Sequence, residues 1–341
     1  MDIKCYFVAG GAGFIGSNFV RHLMAKYPQA KVVVYDKLTY AGNVANLADV
    51  ADDPRFRFVK GDICDRYLVD REVRGADVIV NFAAETHVDR SILEPDAFIQ
   101  TDIVGVHTLL EAARKYGVKR YVQISTDEVY GSIEDGHFSE QSPINPSSPY
   151  SASKAAGDLL VKSYWTTYRL PVVITRASNN YGPYQHPEKL IPLFVTNALE
   201  DKPLPMYGDG MQVRDWLYVD DHCRAIDLVI EKGEKGAIYN VGASCEKTNR
   251  EVTHRILELL GKPESLIKHV ADRPGHDRRY ALTAEPLRQL GWAPLKPWEE
   301  RMAEVCQWYS ARRDWWEPLK SGDFEEYYRR QYPDLMAKAG R

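Results

Sequence analysis

Seven residues near the start of the chain, Gly10-Gly11-Ala12-Gly13-Phe14-Ile15-Gly16, constrain the fold more than any other stretch. They follow an apolar run, Cys5-Tyr6-Phe7-Val8-Ala9, and lead into a helix-length segment from Ile15 to Tyr27. The loop reads as G-x-x-G-x-x-G through Gly10, Gly13 and Gly16, or as G-x-G-x-x-G through Gly11, Gly13 and Gly16. Without side chains, such a loop turns tightly from strand to helix and brings backbone N–H groups and the helix N-terminus up to a pyrophosphate. Glycine also serves turns for geometry alone. The strand before the loop and the helix after it are what give this one its meaning.

The rest of the N-terminal half repeats that alternation. Lys31-Val32-Val33-Val34-Tyr35, Phe56-Arg57-Phe58-Val59, Asp77 to Phe82, Arg120-Tyr121-Val122-Gln123-Ile124 and Val172-Val173-Ile174-Thr175 are short, apolar and rich in β-branched residues, as buried strands are. Helix-length segments, Thr101 to Tyr116 and Ser151 to Tyr168, lie between them. The pattern predicts an α/β fold, a Rossmann-type doubly wound parallel sheet. After about Tyr181 the texture turns to Pro, Gly and aromatic residues, then to a helical stretch from Leu190 to Glu200. We therefore expect residues 1–180 to form a cofactor domain, with later contributions near 213–243, and 181–341 to form mainly a smaller, interleaved α/β substrate domain. Trp216-Leu217-Tyr218-Val219 and Ala237 to Val241 read as strands of either part. Trp308, Trp315 and Trp316 lie in a stretch with helical spacing and are expected to dock it against the body.

With 341 residues, 44% of them hydrophobic, the chain can bury a large core. Its five cysteines are scattered and never spaced C-x-x-C, which argues against a disulfide framework and a zinc site, so no metal is expected. A net charge of −4 gives no footprint for nucleic acid. No export signal or membrane-length apolar run is evident, so a cytoplasmic protein is expected.

Asp36 stands at the end of the second strand, twenty residues beyond Gly16. A carboxylate there accepts from both ribose hydroxyls of NAD and repels the extra phosphate of NADP, with the neighbouring Lys37 as the opposing feature. NAD is the expected cofactor. Tyr150-Ser151-Ala152-Ser153-Lys154 sets a phenol and an ammonium one helical turn apart, so Lys154 is expected to lower the Tyr150 pKa and let it take a hydroxyl proton. Ser125-Thr126-Asp127-Glu128-Val129-Tyr130-Gly131 follows a strand, which puts its polar groups at the carboxyl end of the sheet. Thr126 can bond a sugar oxygen, and Asp127 and Glu128 offer adjacent carboxyls for acid and base work.

The Ser125–Gly131 segment, placed between the glycine loop and the Tyr-x-x-x-Lys pair, resembles the nucleotide-sugar 4,6-dehydratases of the extended short-chain dehydrogenase/reductase superfamily. Ala83 to Ser91, Ser178 to Pro192 and Arg273-Pro274-Gly275-His276-Asp277 extend the resemblance over nearly the whole chain. Ala9 departs from it, since the family commonly has Thr before the loop. Epimerase-like relatives generally lack the Asp-Glu pair and decarboxylating ones often keep only the glutamate, so Asp127 favours a dehydratase.

The resemblance implies a cofactor site of Gly10, Gly13, Phe14, Ile15, Gly16, Asp36, Lys37, Leu38, Thr39, Ala83, Ala84, Thr101, Tyr150, Lys154 and Asn179, with Asp62 and Ile63 at the adenine. It implies a nucleotide-sugar substrate, dTDP-glucose, with a UDP-sugar or an epimerase reaction as the alternative. Substrate contacts are implied at Thr86, His87, Thr126, Asn180, Glu188, Lys189, Leu190, Pro205, Tyr207, Arg214, Asn249, Arg273, His276 and Tyr280. A homodimer built on the Thr101–Tyr116 and Ser151–Tyr168 helices is also implied.

Overall fold

The computed structural model describes residues 1–272 and 276–332. The first half runs β1 (Cys5–Ala9), α1 (Phe14–Lys26), β2 (Lys31–Asp36), β3 (Phe56–Lys60), α2 (Arg66–Val73), β4 (Val78–Asn81), α3 (Val88–Leu93) and α4 (Asp96–Ile99). It continues through α5 (Val106–Tyr116), β5 (Arg120–Thr126), α6 (Pro149–Tyr168) and β6 (Val172–Ala177). Apolar runs become strands here because a parallel strand covered on both faces has no solvent side, and every residue of β4 and β5 is buried. Along β1 the pleat sends Tyr6 and Val8 into one apolar cluster, shared with α1, and Phe7 and Ala9 into another, shared with α5.

Among the described residues, seven parallel strands form one sheet, which begins at one edge with β10 (Ile238–Val241) and runs in the order β10-β6-β5-β4-β1-β2-β3. The chain steps outward from β1 to β3, then returns to the other side of β1 as β4. That reversal opens a crevice beyond the carboxyl ends of β1 and β4, where the glycine loop lies.

The second half supplies β7 (Asn179–Tyr181), α7 (Leu190–Leu199), β8 (Leu204–Tyr207), β9 (Val213–Tyr218), α8 (Val219–Lys232) and β10 (Ile238–Val241), then β11 (Glu246–Thr248), α9 (Asn249–Leu260) and β12 (Ile267–Val270). Of the two strands expected in either part, β10 joins the large sheet beside β6, while β9 joins a small sheet in the order β11-β9-β7. A third pairing, β8 with β12, lies nearby. Helix α10 (Glu285–Gln289) packs against β10, while a separate apolar cluster unites α7, α9 and the C-terminal helices α11 (Trp298–Ala311), α12 (Arg313–Trp316) and α13 (Asp323–Gln331). The indoles dock this region: Trp315 Nε1 donates to Asn46 Oδ1 at 2.9 Å and Trp316 Nε1 to Tyr309 O at 2.8 Å.

Two helices differ from expectation in a telling way. α6 starts at Pro149, because Ser148 caps it reciprocally with Ser151 and a proline fits the first turn. The segment expected as one helix from Thr101 opens instead with a π turn, Gln100–Gly105, before α5. α6 presses on that turn through Gly157, where a Cβ would come 2.8 Å from the Asp102 carbonyl oxygen. Among the described residues, no helix is long and apolar enough to cross a membrane, and no cluster of side chains could hold a metal ion.

Candidate active site

The glycine loop makes a cradle that only bare backbone fits. Gly10 has φ +74°, and a Cβ on it would come 2.4 Å from Ala83 N; a Cβ on Gly16 would come 2.3 Å from Gly10 O. α1 begins at Gly13 with no side-chain cap, so its first N–H groups face a cavity of about 230 Å³. That wall includes Gly10, Gly13, Phe14, Ile15, Gly16, Asp36, Lys37, Thr39, Asp62, Ile63, Ala83, Ala84, Thr101, Tyr150 and Lys154. A helix N-terminus beside a carboxylate at the end of β2 suits a dinucleotide: the first faces pyrophosphate, the second a ribose.

Asp36 is held ready for that contact. Its Oδ2 accepts from Ala12 N at 2.9 Å and its Oδ1 from Leu38 N at 2.8 Å, so the carboxylate both ends the turn and stays oriented at the wall. Burial raises its pKa while the two N–H groups lower it. Lys37 does not favour an extra phosphate, because its Nζ pairs with Asp62 Oδ2 at 2.8 Å. Two residues expected at the cofactor are not part of this cavity's wall. Leu38 contributes its backbone N–H to Asp36 while packing its side chain on the cluster beneath, and Asn179 lines a second cavity.

Tyr150 borders both cavities and so marks where a cofactor and a second ligand would meet. α6 places it there, one turn before Lys154, whose Nζ donates to Ile124 O at 2.9 Å. Other surroundings of the Tyr150 phenol weigh against a lowered pKa. Burial raises the Tyr150 pKa well above its ordinary value, Glu128 and Asp102 add to it, and a hydrogen bond with Thr126 opposes them. A phenolate stripped of water and faced by carboxylates is disfavoured.

β5 delivers Thr126, Asp127 and Glu128 to the same spot through a single 3₁₀ turn. Thr126 Oγ1 caps the turn by accepting from Glu128 N at 3.3 Å and lies 3.2 Å from Asp127 Oδ1. Glu128 is half-buried on the second cavity; Asp127 sits deeper, 3% exposed, its Oδ2 without a partner among the described residues. Desolvation, then Glu128 and Asp215, push the Asp127 pKa well up, against Arg214 and Thr126. Two neighbouring carboxyls are thus split into a buried one pushed towards its protonated form and one that reaches the cavity.

The second cavity, about 180 Å³, is walled by Thr86, His87, Glu188, Lys189, Leu190, Pro205, Tyr207, Arg214, Asn249 and His276, all expected at the substrate. Arg214 is aimed by its surroundings: its guanidinium donates to Val213 O and Asp277 O and lies 4.1 Å above the Tyr280 ring. Tyr280, expected at the substrate, stands behind that arginine and donates to Asp277 Oδ2 at 2.6 Å. Asn180 likewise turns inward, its amide donating to Ser178 O and its Oδ1 paired with buried His222 Nδ1 at 2.9 Å. Arg273 lies outside the described residues. At the seam of the two cavities Glu188 accepts from Arg90 Nε at 3.1 Å. Burial opposes its charge, yet His87, His186, Lys189 and Arg90 hold its pKa down to about 2.

Several wall residues escaped sequence reasoning. Leu193 and Phe194 read there only as part of the Leu190–Glu200 helical stretch and Trp216 only as part of a strand, although Leu193 and Phe194 follow Leu190 at i+3 and i+4 on one helix face. Asp89 stood within the Ala83–Ser91 stretch; Tyr332, in the C-terminal part, gave no signal at all.

Comparison with known proteins agrees with this geometry. The family described as GDP-mannose 4,6 dehydratase matches residues 7–305. A dTDP-glucose 4,6-dehydratase of Streptomyces niveus is 52% identical over 93% of this chain and 96% of its own length. A dTDP-glucose 4,6-dehydratase of Streptomyces venezuelae, solved with NAD bound, is 55% identical and superposes with a TM-score of 0.91 over 93% of this chain and all of that one. The UDP-glucose 4-epimerase of Thermus thermophilus, also solved with NAD, is 33% identical, with a TM-score of 0.84 over 91% of this chain and all of its own. The chain belongs to the family of GDP-mannose 4,6 dehydratase, among the NAD-dependent epimerases and dehydratases of the extended short-chain dehydrogenase/reductase superfamily.

Proposed function

We propose that this enzyme is an NAD-dependent dTDP-glucose 4,6-dehydratase, which converts dTDP-glucose to dTDP-4-keto-6-deoxyglucose and water. The observation that carries the reading is the Asp127–Glu128 pair, one carboxyl buried with its pKa pushed up, the other at the cavity where Tyr150 also stands. When bound, NAD accepts the C4 hydride and returns it to C6, so it is not consumed.

The chain's own groups do the proton work. Tyr150 takes the C4 hydroxyl proton, with Thr126 bonded to the same oxygen region and Lys154 supplying positive charge behind it. The resulting C4 ketone acidifies C5. Glu128 removes the C5 proton while Asp127 protonates the leaving C6 hydroxyl, so water departs and a conjugated enone remains. After reduction at C6, C5 is reprotonated. Arg214, Lys189 and Asn249 hold the diphosphate end through charge-assisted and polar hydrogen bonds, and Glu188, Tyr207 and His276 help frame sugar and base. On this reading 1–180, with α8 and β10, hold the cofactor and most of 181–341 holds the substrate.

We place the enzyme in the cytoplasm, in keeping with its five free thiols. We assign it as a homodimer through α5 and α6, a face that leaves Leu159 57%, Tyr168 50% and, on neighbouring α4, Ile99 46% exposed. Incubation with dTDP-glucose and, separately, UDP-glucose, followed by mass analysis, tests the function. Loss of one water from dTDP-glucose supports it; an inverted hydroxyl with unchanged mass would replace it with an epimerase.

A further inference from the structure

Asp102 is a buried carboxyl that the steps above leave unused. It sits on the π turn between α4 and α5, 2% exposed, one residue after Thr101 at the cofactor wall. Its Oδ2 accepts from Ser153 Oγ at 2.6 Å, and that hydroxyl also lies 2.8 Å from Tyr150 O. Its Oδ1 is buried with no partner among the described residues. An unpaired buried carboxylate oxygen is costly and calls for an explanation. The backbone is equally committed: only a glycine at 157 allows α6 so close to the Asp102 carbonyl, and π turns concentrate at functional sites.

We propose that Asp102 is a positioning residue for the reaction: through Ser153 it fixes the turn of α6 that presents Tyr150 and Lys154, and its charge sets how readily Tyr150 releases its proton. The proposal rests on Tyr150 as the acceptor of the C4 proton. The charged and titratable groups that face Asp102 are Lys154, Tyr150 and Asp158 from α6 and Glu85 from the loop after β4. Burial raises its carboxyl to about 6, against the opposing pull of Lys154 and the Ser153 hydrogen bond, while Glu85 and Asp158 add to the rise. Ionised, Asp102 raises the Tyr150 pKa; neutral, it ceases to.

Asp102→Asn keeps the shape and an acceptor for Ser153 Oγ but removes the charge. In the full-length holoenzyme, the C4 oxidation step would be followed against pH by rapid mixing with dTDP-glucose. Thermal unfolding of the same protein would be followed over the same pH range. The variant is expected to move the rise of oxidation to lower pH. It is also expected to lose the fall in melting temperature that the wild type shows between about pH 4 and pH 6, since a raised carboxyl stabilises the fold only while protonated. Ser153→Ala breaks the contact through which Asp102 holds α6 but leaves the charge in place, so it should slow oxidation without moving its rise along the pH axis, and it tests the positioning role even if the Asn variant does not fold. Oxidation profiles that superimpose on wild type, with Tyr150→Phe inactive in oxidation, would overturn the role of Asp102 alone. Normal oxidation by Tyr150→Phe would overturn the role of Tyr150 and this proposal with it.

Discussion

Replacing Asp127 with Asn should separate the oxidation of the sugar from the loss of water. The side chain is 3% exposed and the amide is isosteric, so packing is preserved. Burial, Glu128 and Asp215 all disfavour the charged carboxylate, so the substitution removes a carboxyl biased towards its proton-carrying form. Losing a positioned general acid costs about 10²–10⁴ in rate, or roughly 3–5 kcal/mol of barrier. Glu128 and Tyr150 remain, so C4 oxidation should proceed and reduced nicotinamide should build up, visible in the near-ultraviolet, while little 4-keto-6-deoxy sugar is released. Stability should move the other way. A carboxyl whose folded pKa lies above its unfolded value stabilises the fold below the unfolded value, and that contribution is lost as pH rises through the folded pKa. The variant lacks the loss, so its melting temperature at pH 7 should equal or exceed that of the wild type and vary less with pH. Rapid-mixing absorbance, product mass analysis and a melting series across pH measure all three effects. Release of product within about threefold of wild type would refute the acid role, because the smallest loss expected of a general acid is about a hundredfold.

Other perturbations test the remaining parts of the site. Asp36→Ala should weaken NAD binding and narrow the preference over NADP, read by titration with each cofactor, and equal affinity of the wild type for both would reject the assignment. Gly16→Ala drives a methyl group to 2.3 Å from Gly10 O, so the purified variant should come without bound cofactor, read from the absorbance of the protein's acid extract. Arg214→Ala removes a guanidinium pre-aimed by Asp277 and Tyr280 and should weaken dTDP binding about 10–100-fold by calorimetry, the range for a hydrogen bond to a charged group. Wild-type product formed in deuterated water should carry deuterium at C5, and product protonated there would reject Glu128 as the C5 base.

The parallel sheet was legible because strands buried on both faces leave nearly continuous apolar runs, and β1, β2 and β5 fall where those runs lie. The small sheets were not. Trp216-Leu217-Tyr218 reads as a strand from its residues, but nothing local says that it pairs with β7 and β11 instead of β6. The π turn was hidden for a related reason: helical spacing fits Thr101–Tyr116 well, and the extra residue shows only when α6 closes on Asp102 through Gly157. Contiguous motifs carried the reacting groups into view, whereas the walls contributed by Trp216, Asp89 and Tyr332 depend on elements that meet only in the fold.

What a sequence hides most is the company a carboxyl keeps. Asp36, Asp102 and Asp127 are the same residue type and all three are buried, yet they differ in what surrounds them. Two backbone N–H groups orient Asp36 and partly offset its burial. Asp102 has one hydroxyl and the field of Lys154, which leaves it poised at about 6. Asp127 has a carboxylate neighbour and an oxygen without a partner among the described residues, and burial pushes its pKa well above the usual carboxylate range. The same reasoning explains why Tyr150 departed from expectation: the lysine four residues on was readable, but Glu128, Asp102 and the loss of water around the phenol were not. A Tyr-x-x-x-Lys pair therefore names the group that moves the proton without naming the pH at which it does so. On the role proposed for Asp102, that pH should respond to substitutions at Asp102 and Glu128 while Tyr150 and Lys154 stay unchanged.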